Sequence, residues 1–156
     1  MNTTTQAPSD GSGPTPMDVA TSLGLESGAW DGVLAALLVN LDAGLSVKRA
    51  ASGCYVHASA RLASLLGRSP DDLVGLTDVD LFGMDAAVLL READSTALMM
   101  GLPQGSEHRL PLNAAQPRRD FKVVCVPLPS AGSAVPEYLA HIWVDMTESL
   151  RRDAKR

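Results

Sequence analysis

Apolar side chains recur at helical spacing in two long stretches of the chain and at strand spacing in five shorter ones. Between residues 29 and 41, Trp30, Val33, Leu34, Leu37, Leu38 and Leu41 fall at i, i+3, i+4, i+7, i+8 and i+11, the pattern of one helical face. A second helix is expected over residues 85–99, with Ala86, Leu89, Leu90, Ala93 and Ala97 as its buried stripe and Gly101 with Pro103 as its stop. Within it, Arg91 and Asp94 are three apart and expected to form a solvated pair worth a few tenths of a kcal/mol. Residues 44–49 and 54–57 flank the turn A-S-G and read as a hairpin. A short helix over 58–66 ends at Gly67. Ser69 then caps another turn, with Pro70 at its first position and Asp71 and Asp72 beside its positive end. Residues 107–112, 120–126 and 137–144 complete the strands, the last two separated by a turn over 129–136.

The final strand has no polar alternation. Tyr138, Ala140, Ile142 and Val144 lie on one face, and Leu139, His141 and Trp143 on the other. Such a strand needs cover on both sides. The helix over 86–97 is expected on one face and the helix over 30–41 on the other. Two strands, helices and three more strands make an α+β fold with an antiparallel sheet.

Composition changes this picture at the start of the chain. Thr, Ser, Gly and Pro dominate there, with too little apolar surface to offset the entropy of ordering, so 1–28 is expected to be a flexible leader. The organisation that follows is an amphipathic helix over 29–43, a core over 44–147 and the start of a C-terminal helix over 148–156. The length of 156 residues suits one domain with its own core. The net charge of −5 argues against non-specific binding of nucleic acid, and no apolar run approaches the ~20 residues of a membrane span. With neither a basic nor an apolar start segment, a cytoplasmic location is expected. Cys54 and Cys125 are isolated and read as two buried thiols on separate strands.

Little in the chain signals catalysis. No Gly-rich phosphate loop follows a strand, H-x-x-x-H and C-x-x-C spacings are missing, and Ser, His and Asp form no recognisable catalytic arrangement. A non-enzymatic protein is expected. The acidic residues Asp71, Asp72, Asp78, Asp80 and Asp85 are assigned to helix caps and turns and not to a cation site, so no metal ligands are assigned. His57, His108 and His141 read as partly buried, hydrogen-bonded residues.

One joint is more specific. In V-D-M-T-E-S-L-R-R (residues 144–152) an apolar strand meets a polar segment with helix-start chemistry. Asp145 is placed to cap the new helix, and Glu148, three residues on, to reach back as in a capping box. This stretch resembles the D-I-T-E ending of a PAS domain. Upstream, G-C-Y-V-H-A-S-A-R-L-A-S-L-L-G-R-S-P-D-D-L-V-G-L-T-D-V-D-L-F (residues 53–82) resembles the PAS core in L-L-G, S-P-D-D-L-V-G and T-D-V-D-L-F. The likeness covers about 44–148. It departs from the family at His57, where Asn is usual, and at Ala60 or Arg61, where an aromatic is usual.

The resemblance implies a PAS-like five-stranded antiparallel sheet with flanking helices and an N-terminal amphipathic cap helix, the last strand lying centrally beside the first. It implies a sensory or dimerising domain of a bacterial signalling protein, relaying a small-ligand or partner signal to a histidine kinase or a cyclic-di-GMP cyclase or phosphodiesterase. A pocket would be lined by Leu89, Leu90, His108, Leu110, Leu112, Val124, His141 and Trp143, although a filled core has the same character. Asp145, Thr147 and Glu148 would relay the signal. Trp30, Leu34, Ala35, Leu37, Leu38 and Leu41 would form a homodimer interface. The flavin photosensors of the family carry N-C-R-F-L-Q where this chain has A-S-A-R-L-A-S-L-L, so a flavin photoadduct is excluded. Haem domains of the family use a His on the long helix or the turn before it, and residues 81–99 hold none, leaving Met84, Met99 and Met100 as soft donors or core filler. Trp143 stands two residues before the D-x-T-E Asp, as in certain haem chemoreceptors, so a haem gas sensor stays an alternative. A purely structural dimerisation module is another.

Overall fold

The computed structural model describes residues 28–112 and 117–156, and the expected leader, apart from Gly28, lies outside them. The chain divides into two units, residues 1–37 and 38–156. Within the described residues the first holds most of helix α1 (Ala29–Asn40), which matches the expected span. Its Val33, Leu34 and Leu37 are exposed in the single chain, as are Val39 and Leu41 beyond them.

The second unit runs β1 (Gly44–Arg49), β2 (Tyr55–Ala58), α2 (Ala60–Leu65), α3 (Pro70–Leu73), α4 (Asp78–Phe82), α5 (Met84–Met100), β3 (Gln104–Leu110), β4 (Arg119–Leu128), β5 (Tyr138–Asp145) and α6 (Thr147–Ala154). The five strands form one antiparallel sheet in the order β2-β1-β5-β4-β3, so β5 is central and lies beside β1. The expected five-stranded antiparallel sheet with flanking helices, its last strand central beside the first, is the one that forms.

Local chemistry explains the turns between these elements. The Ser59 hydroxyl accepts from the Leu62 and Leu45 N–H groups, starting α2 and tying it to β1. Gly44 is required by that contact, because a Cβ there would lie 2.8 Å from the Leu62 Cβ. Asp72 and Asp80 accept from the backbone N–H groups of Ser69 and Thr77 at the starts of α3 and α4. Gly101, at φ 64°, closes α5 in the left-handed conformation.

One face of the sheet packs against the helices, with α5 across β3 and β4, α2 on β1 and α3 on β2. Trp143 is fully buried at the centre, its ring edge-on to Phe121 at 5.8 Å and tilted against Phe82 at 6.1 Å. Leu62, Leu73, Leu90, Leu110 and Val123 complete this core. The opposite face carries Leu45, Val47, Val124, Val126, Ala140 and Ile142, all half-buried.

Two details of α5 differ from expectation. Its buried residues are Ala87, Leu90 and Ala97, whereas Leu89 is 55 % exposed, because the helical face is rotated by one position. Asp94 does not pair with Arg91 but turns inward. His57 is exposed, and Cys54 is only half-buried just before β2, while Cys125 is buried within β4.

Candidate functional site

Polar side chains meet beneath the central strands, where the rest of the covered face is apolar. Strand alternation points Ser46 and Lys48 of β1 inward, and both are buried, Lys48 with 1 % of its surface exposed. Lys48 Nζ donates to Asp78 Oδ2 at 2.5 Å and to Asp94 Oδ2 at 3.2 Å. Asp78 begins α4 and Asp94 lies inside α5, so one strand cation holds two helices. The Tyr55 hydroxyl donates to the other oxygen of Asp78 at 2.7 Å, and the ammonium sits 5.2 Å from the Tyr55 ring centre. Burial, reinforced by the charge and hydrogen bond of Asp78, pushes the Tyr55 phenol well above its ordinary pKa, so it remains a donor.

Asp94 is the hub. Its Oδ1 lies 2.6 Å from His141 Nε2 on β5. Burial alone pushes its carboxyl up, but His141, by hydrogen bond and charge, and then Lys48 outweigh this and bring it down to about 2. The Cys125 thiol on β4 lies beside Asp94, and burial together with that negative charge pushes the thiol up to about 12. Trp143 Nε1 donates to Ser46 Oγ at 2.9 Å, joining β5 to β1 at the edge of the network.

A cavity of about 240 Å³ adjoins this cluster. Lys48, Thr77, Asp78, Arg91, Asp94 and Ser95 give it a polar wall of both charge signs, and Ala87, Leu98 and Leu139 an apolar one. Its volume lies below the roughly 300–1,000 Å³ of sites for drug-sized ligands. Its lining has no His, Cys or Met, so haem does not fit it.

The residues expected to line a pocket are divided by the fold. Leu90, His108, Leu110, Leu112, His141 and Trp143 are buried, but none of them borders this cavity. His108 bonds to Ser106 Oγ at 2.6 Å and, with exposed Leu89, borders a shallow groove of about 330 Å³ between α5 and β3. Val124 sits on the opposite face of the sheet. Lys48, Tyr55, Asp78, Asp94 and Cys125 were not anticipated as a group, and Asp78 is no mere cap residue. The signal for Asp94 was present, since Ala87, Leu90, Asp94 and Ala97 share the i, i+3, i+7, i+10 spacing of the buried stripe. The other members of the acidic set, Asp71, Asp72, Asp80 and Asp85, are exposed.

The joint after β5 is a second polar assembly. Asp145 Oδ1 accepts from the Thr147 N–H at 2.9 Å and hydroxyl at 2.6 Å, while its Oδ2 takes Arg119 Nη1 at 2.6 Å. The Thr147 hydroxyl accepts from Asp120 N at 3.0 Å, and Met146 N donates to Asp120 O at 2.7 Å. Asp145 therefore caps the first turn of α6, but the expected capping box is not made. Glu148 instead pairs with Arg151 at 3.1 Å, and the joint is latched to β4. Burial raises the Asp145 carboxyl, but the Thr147 bonds and Arg119 outweigh it and leave it below its ordinary value.

Comparisons with known proteins agree with this architecture. Among solved structures, the chain is similar to a sensory box histidine kinase/response regulator from Burkholderia thailandensis E264, at 18 % identity and TM-score 0.60 over 78 % of this chain and 90 % of that one. It is similar to a sensory box sensor histidine kinase from Vibrio cholerae, at 20 % identity and TM-score 0.57 over 84 % and 98 %. It also resembles the N-terminal domain of a diguanylate cyclase with PAS/PAC sensor from Marinobacter aquaeolei, at 12 % identity and TM-score 0.56 over 69 % and 97 %. At these identities the likeness concerns the fold. No curated protein sequence matches the chain. No helix among the described residues is long and apolar enough to cross a membrane. The sequence model of the PAS fold matches residues 38–151, more than half the chain, and the protein belongs to the PAS family.

Proposed function

We propose that this PAS domain is a non-catalytic sensor in a cytoplasmic signalling protein, binding a small polar organic molecule in the 240 Å³ cavity and passing the event to an output unit through α6. The observation that carries this reading is the course of β5. Leu139 borders the cavity, His141 joins the buried network, and Asp145 latches α6 to β4, all within eight residues of one central strand. A ligand that binds two arrangements of the Lys48–Asp78–Asp94 cluster unequally shifts their populations, and β5 carries the displacement to the joint. The cavity's mixed charges favour a small zwitterion or hydroxylated acid over an apolar molecule. A histidine kinase or a cyclic-di-GMP enzyme suits the output role, and a second copy docked along α1 would make the sensor a homodimer. The test is Asp145→Ala, made in the protein together with its output unit. Output is expected to uncouple while fold and ligand affinity stay nearly intact; unchanged signalling would refute the route.

A further inference from the structure

The hub of the network combines three kinds of metal-ligating side chain. Asp94 from α5, Cys125 from β4 and His141 from β5 each place a donor atom within 4.8 Å of the other two. We propose that these three residues bind a divalent transition-metal ion of the zinc type. This goes beyond the sensing reading, with which it shares Asp94.

The geometry suits a tetrahedral ion. Bonds of about 2.0–2.3 Å set neighbouring ligand atoms roughly 3.3–3.8 Å apart, so the three donors need only small side-chain shifts. Cys125 and His141 are direct cross-strand partners, so the β4–β5 backbone hydrogen bonds fix two ligands before any ion arrives. Asp94 closes over them from the helix and also borders the cavity, which gives a hydrated ion a way in and leaves room for a water as fourth ligand.

Burial supplies a second argument. His141 has 1 % of its side chain exposed, and with Nε2 committed to Asp94 its Nδ1 has no hydrogen-bond partner. A buried ring nitrogen without a partner is uncommon, and a ligated ion would supply one. The sulfur, nitrogen and single carboxylate oxygen select zinc-like ions over Mg²⁺ or Ca²⁺, which prefer all-oxygen cages.

The experiment is a titration of the chelator-stripped protein with Co²⁺, followed by displacement with Zn²⁺. Expected are visible d–d bands of tetrahedral intensity and a near-ultraviolet sulfur-to-cobalt band, saturating at one ion per chain and erased by Zn²⁺. Cys125→Ser is expected to remove the sulfur band and weaken Zn²⁺ binding at least tenfold, with its far-ultraviolet circular dichroism unchanged. Asp94→Asn should weaken binding with the sulfur band retained, and Cys54→Ser, outside the cluster, should change nothing. Absence of tetrahedral bands at saturating Co²⁺, or a sulfur band lost with Cys54→Ser and kept with Cys125→Ser, would overturn the proposal.

Discussion

Lys48 and Arg49 are adjacent on β1, both are cationic, and both pair with carboxylates, yet their environments predict opposite consequences of losing the pair. The Lys48 side chain is 1 % exposed and its partners Asp78 and Asp94 are 11 % and 14 % exposed. Arg49 and Glu137 are 45 % and 51 % exposed at 2.8 Å. Lys48→Met keeps the length and bulk of the stem, so it isolates the charge from the packing. It leaves Asp78 with the Tyr55 hydroxyl and Asp94 with His141 as partners. Removing one partner of a buried ion pair costs about 3–5 kcal/mol, a large share of the roughly 5–15 kcal/mol that holds a domain together. Glu137→Ala removes the exposed pair and leaves Arg49 stacked on Tyr138 at 5.2 Å, so it should cost under about 1 kcal/mol. Urea unfolding checks both. With a slope of about 1–3 kcal/mol per M, Lys48→Met should lower the midpoint by roughly 1–5 M, and Glu137→Ala should barely move it. A Lys48→Met cost under about 1 kcal/mol would refute the claim that this cation holds the network together.

Leu90→Ala should cost about 2–5 kcal/mol and Leu89→Ala almost nothing, since Leu90 is 2 % exposed and Leu89 is 55 %; thermal melts of the two variants decide this. Gly44→Ala should cost about 1–3 kcal/mol in the same assay, because the new Cβ meets Leu62. Asp145→Ala should cost about 1 kcal/mol at neutral pH through the lost cap. The Asp145 carboxyl lies below its ordinary value in the fold, so its stabilisation is complete above the unfolded value near pH ~4 and disappears as pH falls through the folded one. Urea midpoints of wild type and Asp145→Ala should therefore converge on acidification, and a constant gap would contradict the assignment.

How much of this was legible in the sequence depended on the kind of residue. Hydrophobic spacing located α1, β1 and β5 to within a residue or two, because an apolar face must be buried and its period reveals the element. The turns at Ser69-Pro70 and Gly101 were readable because their backbone shapes admit few residues. The polar core was not. Alternation in G-L-S-V-K-R suggests Leu45 and Val47 inward and Ser46 and Lys48 outward, but the opposite holds, and only Asp78 and Asp94, 30 and 46 residues away, make a buried Lys48 tolerable. The same long-range pairing took Asp94 away from Arg91. At the joint, Asp145 was foreseen as a cap. Its tie to Arg119 and the Thr147 tie to Asp120 depend on β4 lying alongside, which local spacing does not encode.

The central claim is that the cavity and the α6 joint are two ends of one responsive strand. The most direct measurement is two-dimensional amide NMR of the isotope-labelled chain during titration with a panel of amino acids and small hydroxylated and carboxylic acids. A compound that moves the Asp78 and Asp94 amides is expected to move those of Met146 and Thr147 in proportion, with Val88 and Glu107 steady. Binding that shifts the cavity amides and leaves Met146 and Thr147 in place would contradict the account.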